Sequence, residues 1–237
     1  MAERVRQESA EREFVTNAAH ELQSPLTAIV SAIEVLQAGA KDTPDRDVFL
    51  DHIERASARL ARLVRALLVL ARAQSGTEAP RTELVALEPL LAEVASSLKT
   101  AEGVSVDVSG PPDAAVLGNR DLIEQAVLNV AENAAKYTEE GRIELAAHLA
   151  GGGAEISISD TGRGIPSADQ DRVFQRFYRG EVDAAGGSGL GLAIARAATE
   201  AMGGEVELES TQGKGTVVRF RFPQGASLIE GASLSDG

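Results

Sequence analysis

No cysteine occurs among the 237 residues, which removes disulfides, zinc–thiolate centres and cysteine nucleophiles and permits a reducing compartment. Positive charge is scarce too. With 23 Lys+Arg against 36 Asp+Glu the formal net charge is -13, which disfavours a nucleic-acid backbone or an anionic membrane as main partner and favours a protein or a locally held small anion. Long apolar runs are missing: the longest, around Ala28–Val35 and Val64–Ala71, are too short and interrupted to cross a bilayer, and no signal peptide precedes them. There is no Gly-x-x-x-x-Gly-Lys-Ser/Thr, so no P-loop.

What is present changes character near residue 80, and a chain of this length accommodates two modest domains. The N-terminal residues Glu3, Arg4, Arg6, Glu8, Glu11, Arg12 and Glu13 alternate in sign without a capping pattern, as in a helix entered from upstream, so a missing N-terminal input module is expected. Val15, Ala19, Leu22, Leu26, Ile29, Ile33 and Leu36 then recur at alternating steps of four and three, which is the seam of a helical bundle. This helix should end near Gln37, with Gly39 as a stop and Ala40–Pro44 as a connection. Thr43 or Asp45 can cap a second helix with Phe49, Ile53, Ala56, Leu60, Leu63, Leu67 and Leu70 on its apolar stripe. A lone helical hairpin leaves half of each seam wet, and a second copy forming a four-helix-bundle dimer is the economical cure. Packing of the hairpin on the C-terminal domain is the alternative.

Gln74–Arg81 reads as a linker, and past it the periodicity is that of an α/β domain. Helices are expected over Leu87–Leu98, Asn119–Tyr137, Ser167–Phe174 and Leu190–Met202. Strands are expected over Val104–Val108, Ala115–Leu117, Arg142–Ala150, Glu155–Asp160, Glu205–Ser210 and Thr216–Phe222, with turns at Gly110–Asp113, Gly151–Gly153 and Gln212–Gly215. From about Gln224 the residues suit a loose tail. Sheet on one side and helices on the other make a two-layer α/β sandwich, and the chain as a whole is α+β with two domains.

Chemistry can sit at three glycine-bearing stretches: Asp160–Pro166, Gly186–Leu192 and Gly213–Thr216. The second opens a helix whose first N–H groups lack partners, and glycines there let a phosphate approach closely, although the spacing is not that of a dinucleotide fingerprint. Asn129 and Asn133, at i and i+4, share one helix face with Lys136 a turn beyond. Asn oxygens are neutral hard ligands that Mg²⁺ accepts beside phosphates and water, and Lys136 can neutralise a phosphate. Two surface amides are the plainer reading of that helix. His20 lies just off the first seam, with Ser24 on the same face and Pro25 loosening the following turn, so it is an accessible nucleophile or an ordinary surface histidine. His52 and His148 read as surface residues. Arg55, Arg59, Arg62 and Arg65 form a stripe that is a solvated face or helps a partner dock.

Taken together, these stretches resemble the sensor histidine kinases of bacterial two-component systems over nearly the whole chain. His20-Glu21-Leu22-Gln23-Ser24-Pro25-Leu26-Thr27 is similar to the phosphoacceptor box, and Asn129–Thr138 to the N box. Asp160–Ile165 is similar to the first glycine box, Val173–Arg179 to the F box, and the other glycine stretches to the second and third. The resemblance implies a dimerisation and phosphotransfer hairpin over 1–75, a linker over 76–81, a Bergerat-type ATP-binding domain over 82–223 and a flexible tail over 224–237. It implies that His20 accepts the γ-phosphoryl group of ATP, and that Glu21 is the general base on the other ring nitrogen. Asp160 would accept from the adenine amino group, and Asn133 with Asn129 would hold Mg²⁺.

The same resemblance implies that Lys136, Tyr137, Gly162, Gly164, Ile165, Gly187, Gly189, Leu190, Gly191, Leu192 and Thr216 line the nucleotide. Phe177 and Arg179 would begin a lid running through Gly186, and Arg176 is a candidate for steadying the transferring phosphate. Ala19 and Gln23 depart from the family's common Ser and Arg without removing a reacting atom. Ser24 stands where Thr or Asn often positions water, which leaves regulator dephosphorylation open. The implied partners are a second copy and the receiver domain of a response regulator, with no nucleic acid. The implied location is cytoplasmic, as a free protein or the cytoplasmic part of a membrane-bound sensor, with membrane contact only through an upstream segment. Two other classes compete. Gyrase-type and chaperone-type ATPases share the nucleotide fold, but the glutamate they use to activate water corresponds to Asn129 here, and a non-catalytic scaffold is opposed by the intact glycine boxes.

Overall fold

The computed structural model describes residues 2–38, 45–75, 82–180 and 189–227. The Gly39–Pro44 connection, the linker over 76–81, Gly186, Gly187 and Ser188, and the tail beyond Ser227 lie outside the described residues. The chain forms two compact units that divide between Leu68 and Val69. Among the described residues no helix is long and apolar enough to cross a membrane.

The first unit consists of α1 (Ala2–Gln37) and most of α2 (Arg46–Ser75). α1 runs unbroken through Pro25. Because Pro25 has no N–H to give the preceding turn, that turn keeps one bond fewer, and the Thr27 hydroxyl donates to the Gln23 carbonyl at 2.9 Å beside it. The buried stripe of α1 is Ala18, Pro25, Ala32 and Leu36. Of the expected seam, Leu36 is in this stripe, Leu22 and Ile29 are half-buried, and Ala19, Leu26 and Ile33 are exposed, as on the wet half of a lone hairpin; the side chain of Val15 lies outside the described residues. Ala18, Pro25 and Ala32 recur every seven residues and are compact, the kind of stripe against which a neighbouring backbone can come close. The branched residues Leu26, Val30 and Ile33 beside it stay open. On α2 the expected apolar positions Phe49, Ile53, Ala56 and Leu60 are half-buried. His52 is exposed with its ring edge-on to Phe49, and Arg55 of the basic stripe pairs with Asp51 one turn earlier.

The second unit adds β1 (Glu83–Ala86), α3 (Leu87–Ser97), β2 (Val104–Ser109), β3 (Ala114–Gly118) and α4 (Arg120–Tyr137). It continues with β4 (Gly141–Ala150), β5 (Gly153–Asp160), α5 (Ser167–Gln170), α6 (Gly191–Glu200), β6 (Glu205–Thr211), β7 (Gly215–Phe222) and β8 (Gly225–Ser227). A five-stranded sheet in the order β2-β4-β5-β7-β6 is antiparallel except where β2 runs parallel to β4. Alternation along β5 sends Ile156 and Ile158 inward, where they meet Leu145 of β4, Phe220 of β7, Leu90 and Leu91 of α3, and Val127 and Val130 of α4 in one core. The opposite face carries ion pairs of Arg219 and Arg221 with Glu155, Glu207 and Glu209. His148, exposed as expected, lies opposite Glu155. Asn119 caps α4, its side chain accepting from the Leu122 N–H at 3.0 Å.

Several elements depart from the sequence reading. β1 and β8 form a second, three-stranded sheet with β3 between them, so the expected tail begins with a paired strand. β2 and β3, on either side of the expected turn, belong to different sheets: the chain leaves the larger sheet at Gly110-Pro111-Pro112, where Gly110 lies so close to Ala147 of β4 that a Cβ would come within 2.7 Å of its carbonyl oxygen. The helix expected over Ser167–Phe174 ends at Gln170 and gives way to a run of hydrogen-bonded turns through Tyr178.

Candidate functional site

The end of β5 delivers Asp160 into a half-buried position between the loop that follows it and the paired strand β7. Its carboxylate accepts the Gly162 N–H at 2.9 Å and a second backbone N–H from Thr216. Burial raises its pKa above the ordinary 3.8, while these two hydrogen bonds pull the other way without cancelling the rise. A carboxylate with two oxygens has further lone pairs beyond those two bonds, and they suit an external N–H donor. Gly162 is held against the C-terminal end of α4, where any side chain would collide with the Tyr137 carbonyl oxygen. Beneath it the Thr138 hydroxyl is buried without a partner. Glycine at 162 is therefore what lets the loop after Asp160 lie against the C-terminal end of α4 at Tyr137.

Tyr137 is held from two sides. Lys136 donates to its hydroxyl at 2.6 Å, and the Arg163 guanidinium lies 4.4 Å from the ring centroid. One and two turns back along α4, Asn133 and Asn129 face the start of α6. A Cβ placed on Gly191 would stand 3.5 Å from Asn133 Nδ2 and 3.6 Å from Asn129 Oδ1. Asn129 Nδ2 donates to the Gln125 carbonyl at 2.7 Å, so its oxygen is the atom turned toward α6. α6 has neither a side-chain cap on Leu190 nor an acid in its first turn, and the positive end of such a helix suits an anion. The Asn129 oxygen and the Asn133 amide, whose nitrogen is the atom nearest Gly191, lie beside that helix end, and amide oxygens suit a hard divalent cation that takes most of its ligands from phosphates and water. Among the described residues no three His, Cys, Asp or Glu side chains gather around a cation. Leu190 is buried, so its backbone is what can meet a ligand, and Leu192 is half-buried against the core.

Gly189 sits at φ +65° with its α-carbon so near the backbone of Phe177 that a Cβ would come within 2.6 Å of it. Phe177 is itself left-handed at φ 61°. Non-glycine residues rarely adopt that conformation, and both ends of the 177–189 segment are thereby fixed side by side. Arg176 is half-buried and Arg179 exposed, while Gly187 lies outside the described residues. In the helical unit His20 and Ser24 are both exposed, one turn apart on α1, and the side chain of Glu21 lies outside the described residues.

Sequence reasoning missed Arg163, Asp169, Gln170 and Ser210. Ile165 N–H donates to Ser210 Oγ at 2.8 Å, and Gln170 Nε2 donates to the carbonyls of Ile165 and Ser210 at 2.9 and 3.0 Å. Asp169 accepts from the Tyr178 hydroxyl at 2.7 Å. No spacing signal could have found the joint that Ser210 and Gln170 make, since the Ile165–Ser210 and Gln170–Ser210 bonds that close it span 45 and 40 residues.

Residues 118–226 match the family described as histidine kinase-, DNA gyrase B-, and HSP90-like ATPase, and residues 10–76 match the His Kinase A (phospho-acceptor) domain. The sensor-like histidine kinase SenX3 of Mycolicibacterium smegmatis is 33% identical over 232 residues, covering 94% of this chain and 60% of that protein. The chain spans about half to three fifths of the length of the curated relatives it matches first. Among solved structures, the Acinetobacter baumannii histidine kinase AdeS superposes with a TM-score of 0.67 at 20% identity, covering 86% of this chain and 96% of that one, and shows the shared fold. Full-length ShkA in complex with AMPPNP superposes with a TM-score of 0.63 at 28% identity, over 91% of this chain and 46% of that one.

Proposed function

Because the chain belongs to the sensor histidine kinases of bacterial two-component systems, we propose that it binds ATP with Mg²⁺, moves the γ-phosphoryl group to His20 and passes it to an aspartate of a response regulator. The observation that carries this reading is the half-buried Asp160 carboxylate, held by two backbone N–H groups at one end of α4 while Asn129, Asn133 and the N-terminus of α6 converge farther along the same helix. Adenine offers an exocyclic amine to such a carboxylate. Guanine offers a carbonyl in the corresponding place and is repelled. Support for an adenine nucleotide also comes from the complex of the ShkA relative with AMPPNP.

His20 supplies the nucleophile. A neutral imidazole keeps a lone pair on one ring nitrogen, so a P–N bond forms as the bond between the γ-phosphorus and the bridging oxygen breaks, and ADP leaves. Glu21, adjacent in sequence, takes the proton from the other ring nitrogen. Bound Mg²⁺ would be held by Asn133 and Asn129, and it supplies charge neutralisation on the phosphate oxygens. Lys136 and Tyr137 flank the nucleotide, and Arg176, Phe177 and Arg179 contribute from the segment that borders it. The working form is a homodimer whose second copy covers Leu26, Val30 and Ile33, all exposed in a single chain. The helical unit presents His20 to a receiver domain, and the chain works in the cytoplasm. Ser24, exposed one turn beyond His20, is the residue through which a dephosphorylating activity on that partner would act.

Labelled ATP with Mg²⁺ tests the assignment. Acid-labile, alkali-stable label should accumulate on the wild-type chain and be absent from His20→Gln, and label that persists in that variant overturns His20 as the acceptor. Mixing His20→Gln with Asn133→Ala chains then reads the direction of transfer, since mixed dimers regain label only if the phosphoryl group crosses between copies.

A further inference from the structure

Beyond the residues that touch nucleotide in that reading, Asp160 is surrounded by a second layer of polar side chains. Ser210, at the end of β6, is half-buried. Its hydroxyl oxygen accepts the Ile165 N–H at 2.8 Å, and it lies 2.9 Å from both the Gly215 carbonyl oxygen and Thr216 Oγ1. One atom therefore ties the loop after Asp160 to the strand paired with Asp160. Those are the two segments whose backbone N–H groups, at Gly162 and Thr216, aim the carboxylate. Gln170 closes the same joint from the other side. Its amide donates simultaneously to the Ile165 and Ser210 carbonyls, so the loop, the β6 end and α5 share one set of hydrogen bonds.

The joint is anchored rather than dangling. Asp169, next to Gln170 on α5, holds the Tyr178 hydroxyl, and the Arg172 guanidinium stacks 4.4 Å from the Tyr178 ring centroid. Glycine has no side chain to hold the loop at 162 and 164, so the loop depends on its neighbours for its position. A partly buried hydrogen-bond network of this kind fixes geometry more than its individual bonds suggest, because losing one member leaves another group without its partner.

We infer that Ser210 and Gln170 are positioning residues for base recognition, holding the Asp160 loop and β7 at the separation at which the carboxylate prefers an adenine amine to a guanine carbonyl. The inference rests on the proposed nucleotide reading. Without Ser210 the Ile165 N–H loses its acceptor and the loop is free to move relative to Thr216. Asp160 then keeps its charge but not its aim, so affinity for ATP falls while the weak affinity for GTP does not.

The test is calorimetric titration of the full chain with ATP and, separately, GTP. Wild type should prefer ATP. Ser210→Ala and Gln170→Ala should each weaken ATP about tenfold and leave GTP within about twofold, so that the ATP/GTP ratio collapses. Ser210→Thr, which keeps the hydroxyl on a strand-compatible residue, should restore the ratio. In an Asp160→Asn background Ser210→Ala should cost no further ATP affinity, because the residue acts through that carboxylate. An unchanged ratio in both alanine variants, equal losses for ATP and GTP, or full additivity with Asp160→Asn overturns the inference. If Ser210→Ala fails to fold, Gln170→Ala alone decides by the same ratio. A wild-type chain with no preference for ATP overturns the nucleotide reading itself, and this inference with it.

Discussion

The two units of this chain solve opposite problems. The α/β unit is complete in itself: its inward-facing residues on β4, β5 and β7 are covered by α3, α4 and α6, and Phe220, Ile156, Leu145 and Leu90 have no solvent exposure. The helical unit is open, burying a narrow stripe of mostly compact residues on α1 while Leu26 and Val30 remain about half exposed and Ile33 more than a third. An enclosed core gives a site whose groups are held to fractions of an ångström. A helical pair with an uncovered apolar face gives a surface for another chain and leaves a histidine within reach of partners. In the proposed reading, the difference assigns recognition of a small molecule to one unit and protein contacts to the other.

The largest expected break in this comparison comes from the closed core. Phe220→Ala should cost about 4 kcal/mol, melting the α/β unit and abolishing nucleotide binding in calorimetry, while the helical content of α1 and α2 measured by circular dichroism persists. Next comes the open face. Ile33→Asp should weaken association of two copies by roughly a hundredfold, read by analytical ultracentrifugation, and leave ATP affinity as in the wild type. A parallel loss of ATP affinity would show that the two units are not separable in the way proposed.

A smaller effect concerns pH. The carboxylate of Asp160 is disfavoured in the folded chain by burial, so it takes up a proton at higher pH than an unfolded aspartate would. Between the ordinary 3.8 and its raised value the folded chain binds more protons than the unfolded one, so this group's contribution to stability falls as pH rises through that window. Adenine binding should run the other way, weakening as pH falls through the same window, above the ordinary aspartate range. Adenosine titrated against wild type and Asp160→Asn isolates the effect, which should vanish in the variant. The smallest change is at the start of α6. Gly191→Ala places a Cβ 3.5 Å from Asn133 Nδ2, an ordinary contact, and should raise stability by up to about 1 kcal/mol in thermal melts. The same methyl narrows the space beside Asn129 and Asn133, so affinity for ATP with Mg²⁺ should fall severalfold.

Much of the site was legible because its parts are local. Asn129, Asn133 and Lys136 follow from the period of one helix, and the run from β4 through β5 to Asp160 follows from alternation and a glycine turn. The covered side of the bundle seam was not legible: Ala19, Leu26 and Ile33 are exposed in the single chain, because a heptad pattern tells that a helix has apolar faces but not which face a neighbour covers. β1 and β8 escaped notice for a different reason. Strands of 4 and 3 residues carry too little alternation to signal themselves, and they exist only because β3 lies between them.

Sequence alone determined which candidate groups the elements carry and their order along the chain: a histidine just off a helical seam, two amides on one helix face, an aspartate ending a strand, and three glycine-bearing stretches. Period and alternation place them, while the roles proposed for them come from the resemblance to sensor histidine kinases. Tertiary structure decided how those groups are aimed. The depth at which Asp160 is buried, the closeness of Gly162 to Tyr137, the seating of Gly191 against Asn129 and Asn133, and the bracing of Ile165 by Ser210 and Gln170 all depend on contacts between residues far apart in the chain. Such contacts are set by how sheet and helices pack around a shared core, which no local pattern encodes.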